Sequence, residues 1–145
     1  EEAQMMVGMS NYVGLTSVAD KDQALRWYKL AGNSGNEYAQ FTVGRFYESL
    51  GNPHDDIEAF KWYKKAAELG NSFAQYKLGL LTLHGKGVEQ DYIRAHVWLN
   101  LASSKGSLKA NSERKKLENR FSENELKLAR EQAVKCLTSA YKVCP

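Results

Sequence analysis

An all-α solenoid is the fold this sequence predicts: antiparallel helix pairs wound as a right-handed superhelix and closed by a C-terminal capping helix. Three observations predict it. Only two prolines occur in 145 residues, which leaves room for long helices. Trp27, Trp62 and Trp98 recur at steps of 35 and 36, the period of a two-helix repeat. Small residues keep phase with them: Ala24, Ala59 and Ala95 stand three before each Trp, and Gly35, Gly70 and Gly106 eight after.

The phase continues outward. Ala39, Ala74 and Ala110 follow each glycine by four, and Gly44 and Gly79 come five later. Ala3-Gln4 and Gly8 match Ala39-Gln40 and Gly44, so the chain opens inside the second helix of an earlier unit. One domain over 1–145 is expected, divided into a partial repeat at 1–19, repeats at 20–54, 55–90 and 91–121, and a capping helix with a cysteine tail at 122–145. The expected helices are 2–13, 21–32 and 36–49, 56–69 and 72–84, 92–104 and 107–120, and 123–141.

Each first helix is written by its stripe. Ala59, Trp62, Tyr63, Ala66, Ala67 and Gly70 share one face at 3.6 residues per turn. Asp55 reads as its N-cap, with Glu58 completing a capping box, and Asp20 with Gln23 does the same for the first unit. Asp91 caps the third. Gly70 and its counterparts end these helices where a left-handed residue is needed. The second helix of the middle unit offers Phe73, Ala74, Tyr76, Leu78, Gly79 and Leu80 for packing. Ala and Gly let helix axes approach, and Trp and Tyr fill the space between units. Ser122 with Glu125 boxes the terminal helix, whose stripe is Leu126, Ala129, Ala133 and Leu137. A solenoid needs such an element to cover its open end.

Composition excludes several classes. Hydrophobic residues make up 43% and charged residues 26%, as in ordinary globular chains. No run of eighteen apolar residues could span a membrane. The net charge is +3, with 10 Lys/Arg against 12 Asp/Glu in 1–104 and 10 against 5 in 105–145. The basic C-terminal stretch alternates with Glu113, Glu118, Glu123 and Glu125, which reads as a solvated helix face rather than a nucleic-acid patch.

These residues resemble the Sel1-like repeat, a relative of the tetratricopeptide repeat. Its pattern joins a G-x-G-V-x-x-D loop to A-x-x-W-x-x-x-A-A-x-x-G-x-x-x-A-x-x-x-L-G. Gly85-Lys86-Gly87-Val88-Glu89-Gln90-Asp91 with Ala95, Trp98, Leu101 and Ala102 follows it closely, and Ala59 through Gly79 follow it without a gap. The loop Leu50–Asp55 lacks the G-x-G-V, and the third unit lacks the Leu-Gly pair. The C-terminal part, running to a final cysteine, is similar to exported bacterial Sel1-repeat proteins such as a component of sodium-driven flagellar motors. The resemblance implies an adaptor that holds other proteins. It also implies two alternatives: a structural part of a cell-envelope assembly such as a flagellar motor ring, and β-lactam binding or hydrolysis.

Candidate chemistry is sparse. His54, His84 and His96 match no zinc or hydrolase spacing. Gly85-Lys86-Gly87 lacks the phosphate-loop form and reads as a turn between repeats. A β-lactam reaction would need an activated serine, whereas Ser103-Ser104 and Ser10-Asn11 read as polar helix ends. No enzyme activity, cofactor or metal is expected.

Cys136 and Cys144 are the only cysteines. A disulfide between them would pin the tail to its helix, worth about 2–3 kcal/mol by loop entropy. It would put the protein in the bacterial periplasm or outside the cell; the competing reading is two free thiols in a cytoplasmic chain. No signal peptide is seen, and the start reads as processed or truncated.

The expected function is protein–protein interaction on the concave face, lined by the first helices. Arg26, Lys29, Lys61, Lys64, Lys65, Arg94 and Asn100 lie off the Trp stripe there, and Leu25, Phe60 and His96 occupy equivalent positions beside it. The expected contact set is Arg26, Lys29, Phe60, Lys61, Lys64, Lys65, His96 and Asn100, a basic and apolar line suited to an extended acidic-hydrophobic peptide. Neither nucleic acid nor membrane insertion is expected. The tryptophans themselves are expected inside.

Overall fold

The structure, a computed structural model, describes residues 18–145. The helix expected at 2–13 lies outside them. Among the described residues there are seven helices and no strand: α1 (Val18–Asn33), α2 (Glu37–Leu50), α3 (Pro53–Glu68), α4 (Ser72–His84), α5 (Tyr92–Ser104), α6 (Leu108–Glu118) and α7 (Glu123–Thr138). Each of the first six packs on its neighbour in sequence, which makes a stack of antiparallel pairs.

The turn inside each pair is one motif used three times. In the middle unit the N–H of Asn71 donates to Ala66 O and that of Gly70 to Ala67 O, which satisfies the last carbonyls of α3. Asn36 with Gly35 and Ser107 with Gly106 repeat those bonds. The three glycines have φ of 100°, 92° and 99°, which L side chains avoid. The next residue then caps the following helix: Asn36, Asn71 and Ser107 accept from the N–H of Ala39, Ala74 and Ala110. One step further on, Gln40 Nε2 donates to Gly32 O and Gln75 Nε2 to Ala67 O, both from buried positions.

Two expected N-caps are corrected. The N-cap of α3 lies three residues before Asp55, because Asn52 accepts from the Asp55 N–H and Pro53 takes the first turn. Proline suits that position, since its φ is preset and the missing N–H has no helical partner. Asp20 lies inside the first turn of α1, where its charge faces the positive helix end. Asp91 and the Ser122–Glu125 capping box stand as expected.

The Trp stripe points inward, graded along the stack. Trp98 and Trp62 are buried, the latter among Tyr28, Ala31, Ala39 and Val43 of the first pair. Trp27, with no described unit before it, is half-buried. Two packing expectations are corrected. Phe73 points outward at 67% exposure, and on α7 it is Cys136, with Ala129 and Ala133, that is buried while Leu137 is exposed.

α7 packs back on α5 rather than on α6. Its residues keep the sequence register of a first helix, Ala129 corresponding to Ala95, Gln132 to Trp98 and Cys136 to Ala102. Its place differs: α3 and α5 pack on the second helix before them, α2 and α4, whereas α7 lies against a first helix. Past its end, Ala140 (φ 54°) replaces the turn glycine, with Tyr141 N–H on Cys136 O and Ala140 N–H on Leu137 O. Cys136 and Cys144 form a disulfide, Cα–Cα 4.6 Å, which ties down this tail.

Candidate functional site

The face of the first helices carries a groove at α3. With Ala59, Trp62, Tyr63, Ala66 and Ala67 turned to the core, the helix presents Phe60, Lys61, Lys64 and Lys65 on its other side. A groove of about 530 Å³ gathers these four with Trp62. Phe60 is half-buried and rests on the core. Gly87, from the turn after α4, also lines the groove; a side chain there would run into the backbone of Asp56 and Ile57.

The lysines are not equivalent. Lys65 Nζ lies 4.3 Å from the centre of the Trp62 ring, a cation–π contact. Lys61 Nζ is 3.6 Å from Glu58 Oε1. Lys64 makes neither a hydrogen bond nor an ion pair among the described residues. Glu58 and Glu68 also line the groove, so its charge is mixed.

The remaining expected contacts fall elsewhere. Arg26 is exposed on α1, and Lys29 sits 5.1 Å from the Tyr47 ring centre. Asn100 is half-buried on α5. None of the three lines the α3 groove. The basic row stops at the third unit, where Val97 and Leu101 hold the places of Lys61 and Lys65 and are buried with Ala133 and Cys136 of α7.

His96 leaves the contact set, because its side chain is fully buried. Its ring lies 5.4 Å from that of Phe121, and Nε2 sits 3.0 Å from Glu118 Oε1. Burial holds its pKa below the ordinary 6.5, aided by Arg114 and Arg130 and opposed by Glu118. Burial would raise Glu118, but the His96 hydrogen bond and the Arg114 guanidinium, 2.7 Å away, hold it below 4.5. A neutral His96 with its proton on Nε2 satisfies this arrangement and leaves buried Nδ1 without a partner.

The other polar candidates do not converge. His54 and His84 are exposed on α3 and α4. No three His, Cys, Asp or Glu side chains gather among the described residues, and no described helix is long and apolar enough to cross a membrane. Two serine–lysine pairs stand three residues apart. Ser112 and Lys115 are both exposed on α6. The Ser139 hydroxyl donates to Cys136 O at 3.0 Å and accepts from Val143 N–H at 2.9 Å, so Lys142 does not activate it. A second groove, built on exposed Phe73 and Leu108, was not foreseen from periodicity, because Phe73 reads there as a packing residue.

The Sel1 repeat profile matches residues 1–36, 38–71 and 72–107. No curated protein is significantly similar to the chain. Among solved structures, a protective antigen of uropathogenic Escherichia coli displaying an SLR fold is 30% identical, with a TM-score of 0.83 over 97% of this chain and 31% of its own. A Sel1 repeat protein from Oxalobacter formigenes is 34% identical, with a TM-score of 0.70 over 78% of this chain and 47% of its own. The chain thus spans less than half the length of either.

Proposed function

Because the chain belongs to the Sel1 repeat family, we propose that it is a non-catalytic protein-binding module whose first-helix face, centred on α3, holds an acidic-hydrophobic segment of a partner protein. The observation that carries this reading is the groove in which half-buried Phe60 lies beside Lys61, Lys64 and Lys65. Phe60 offers an apolar anchor on a rigid helix, and Lys64 offers a charge with no internal partner. Arg26 and Lys29 on α1 and Asn100 on α5 extend the same face, so an extended segment crossing the units would meet a basic residue first and a polar one last.

The Cys136–Cys144 disulfide favours an oxidising compartment, the bacterial periplasm or the outside of the cell. In that setting the same face would serve a structural role within an envelope assembly. A photo-crosslinking residue at position 64, in the native host, is expected to capture one discrete protein. The same residue at position 115, exposed on α6, is expected to capture none. Equal capture from both positions, or capture from 115 alone, would remove the first-helix face from the proposal.

A further inference from the structure

The second groove has a volume of about 580 Å³ and is built from second helices: α2, α4 and the start of α6 with the turn before it. Its floor is aromatic. Phe41 is buried, with its ring centroid 5.7 Å from that of Tyr63 in the core and 5.9 Å from that of Phe73. Phe73 and Leu108, 67% and 83% exposed, stand in this groove. Exposed apolar side chains gathered in one concavity are a feature of binding surfaces.

The rim is cationic. Arg45, Lys77, Lys105 and Lys109 line it, and no acidic side chain does. Lys77 is held by Glu48 at 3.3 Å, Arg45 lies over the Phe41 ring, and Lys105 bonds to Gly70 O and lies over the Tyr141 ring. Lys109 makes neither a hydrogen bond nor an ion pair among the described residues. α4 and α6 also begin here, at Ser72 and Leu108, so the positive ends of two helices add to the rim.

We propose that this groove is a second docking surface, and that its occupant is an acidic segment of a partner protein carrying one bulky apolar side chain. The aromatic floor takes the apolar side chain, and the rim with its helix ends takes the carboxylates. The concavity separates this occupant from a lipid surface, which would meet protruding apolar groups. Four cations around one pocket also make no track of the length that a nucleic-acid strand follows. The surface shares no lining residue with the α3 groove, so the module would hold two segments at once.

The test is a selection from a phage-displayed library of random 12-residue peptides on the full chain, followed by binding of the enriched peptides to variants. Peptides of net negative charge with a large apolar residue are expected. They should bind Phe73→Ser and Lys109→Glu at least tenfold more weakly, while Lys64→Glu leaves their affinity unchanged. Both altered side chains are exposed, so melting temperatures should not move. Enriched peptides that are neutral or basic, or that bind Phe73→Ser as well as the parent, would overturn the proposal. Displacement of the peptides by anionic vesicles or a thymidine oligonucleotide, with tighter binding of either, would overturn it too. Loss of binding on Lys64→Glu alone would assign the peptides to the first-helix face, against this inference but in favour of the proposed function.

Discussion

Tyr63 of α3 seats its ring over Gly44 of α2, so closely that a Cβ on Gly44 would lie 2.6 Å from Tyr63 Cδ1. Gly79 stands in the same relation to Leu99, at 2.8 Å from its Cγ. At the third corresponding position the residue is Lys115, exposed, because no following helix packs on α6 there. The glycine marks the places where the next unit comes down.

Gly44→Ala and Gly79→Ala are therefore expected to destabilise the fold. Overpacking costs about 1–3 kcal/mol, against about 1 kcal/mol gained by alanine inside a helix. The buried ring of Tyr63 has nowhere to turn, so the loss prevails. Lys115→Ala should stay within about 0.5 kcal/mol of the parent. Urea unfolding of the three variants checks this.

Trp62→Ala should cost about 3–5 kcal/mol, the range for a large aromatic removed from a core. Its ring is 8% exposed and touches Gly32, where a Cβ would come within 3.0 Å of Trp62 Cζ3. Against a total of roughly 5–15 kcal/mol, that loss would nearly unfold a domain at the low end. Trp27→Ala should cost less, since that ring is half-buried.

The pair His96 and Glu118 makes stability fall with acid. Both groups titrate below their ordinary values in the fold, so the unfolded chain takes up protons first. The His96 contribution is present above about pH 6.5 and is lost as pH falls through its folded pKa; that of Glu118 is present above 4.5 and lost below. Arg114 and Arg130 oppose a charged His96, and Glu118 alone favours it. Melting temperatures measured from pH 8 to about 3 should decline through both windows. His96→Gln should remove the upper one and narrow the lower, which Arg114 then sustains; an unchanged profile would contradict the neutral assignment.

Reduction of Cys136–Cys144 should lower stability by about 2–3 kcal/mol on the loop-entropy account. The disulfide holds the tail that carries Tyr141, and Tyr141 lies under Lys105. Reducing agent should therefore lower the melting temperature of the parent and leave a Cys136→Ala, Cys144→Ala variant unmoved.

The repeat was legible because its period is carried by residues that cannot be exchanged cheaply: the tryptophans, the turn glycines and the close-approach glycines. Five of the seven described helices lie within one residue of their expected starts, and α3 and α1 each begin three residues early for local reasons. At α3 the Asp55–Glu58 spacing imitates a capping box that Asn52-Pro53 preempts. The site was less legible, because equivalence in sequence is not equivalence in exposure. Phe60 and His96 hold the same place in successive units, yet α6, α7 and the turn between them bury His96 beside Phe121 and Glu118. Phe73 follows an outward position of the second helix, which a stripe of apolar residues does not reveal. The sequence register that α7 shares with the first helices was hidden, since Gln132 and Ala140 stand where tryptophan and glycine would announce it, and its packing on α5 follows from no repeat position.

The Trp stripe, buried at Trp62 and Trp98, builds the fold; in the proposed function the lysines beside it bind the partner. The direct measurement is partner affinity and melting temperature, side by side, for Lys64→Glu, with the protein captured by crosslinking at position 64 as the ligand. The dissociation constant should be at least tenfold weaker, an effect that shrinks with added salt, and the stability should stay within about 0.5 kcal/mol of the parent. Affinity that is unchanged by Lys64→Glu would contradict the proposed function.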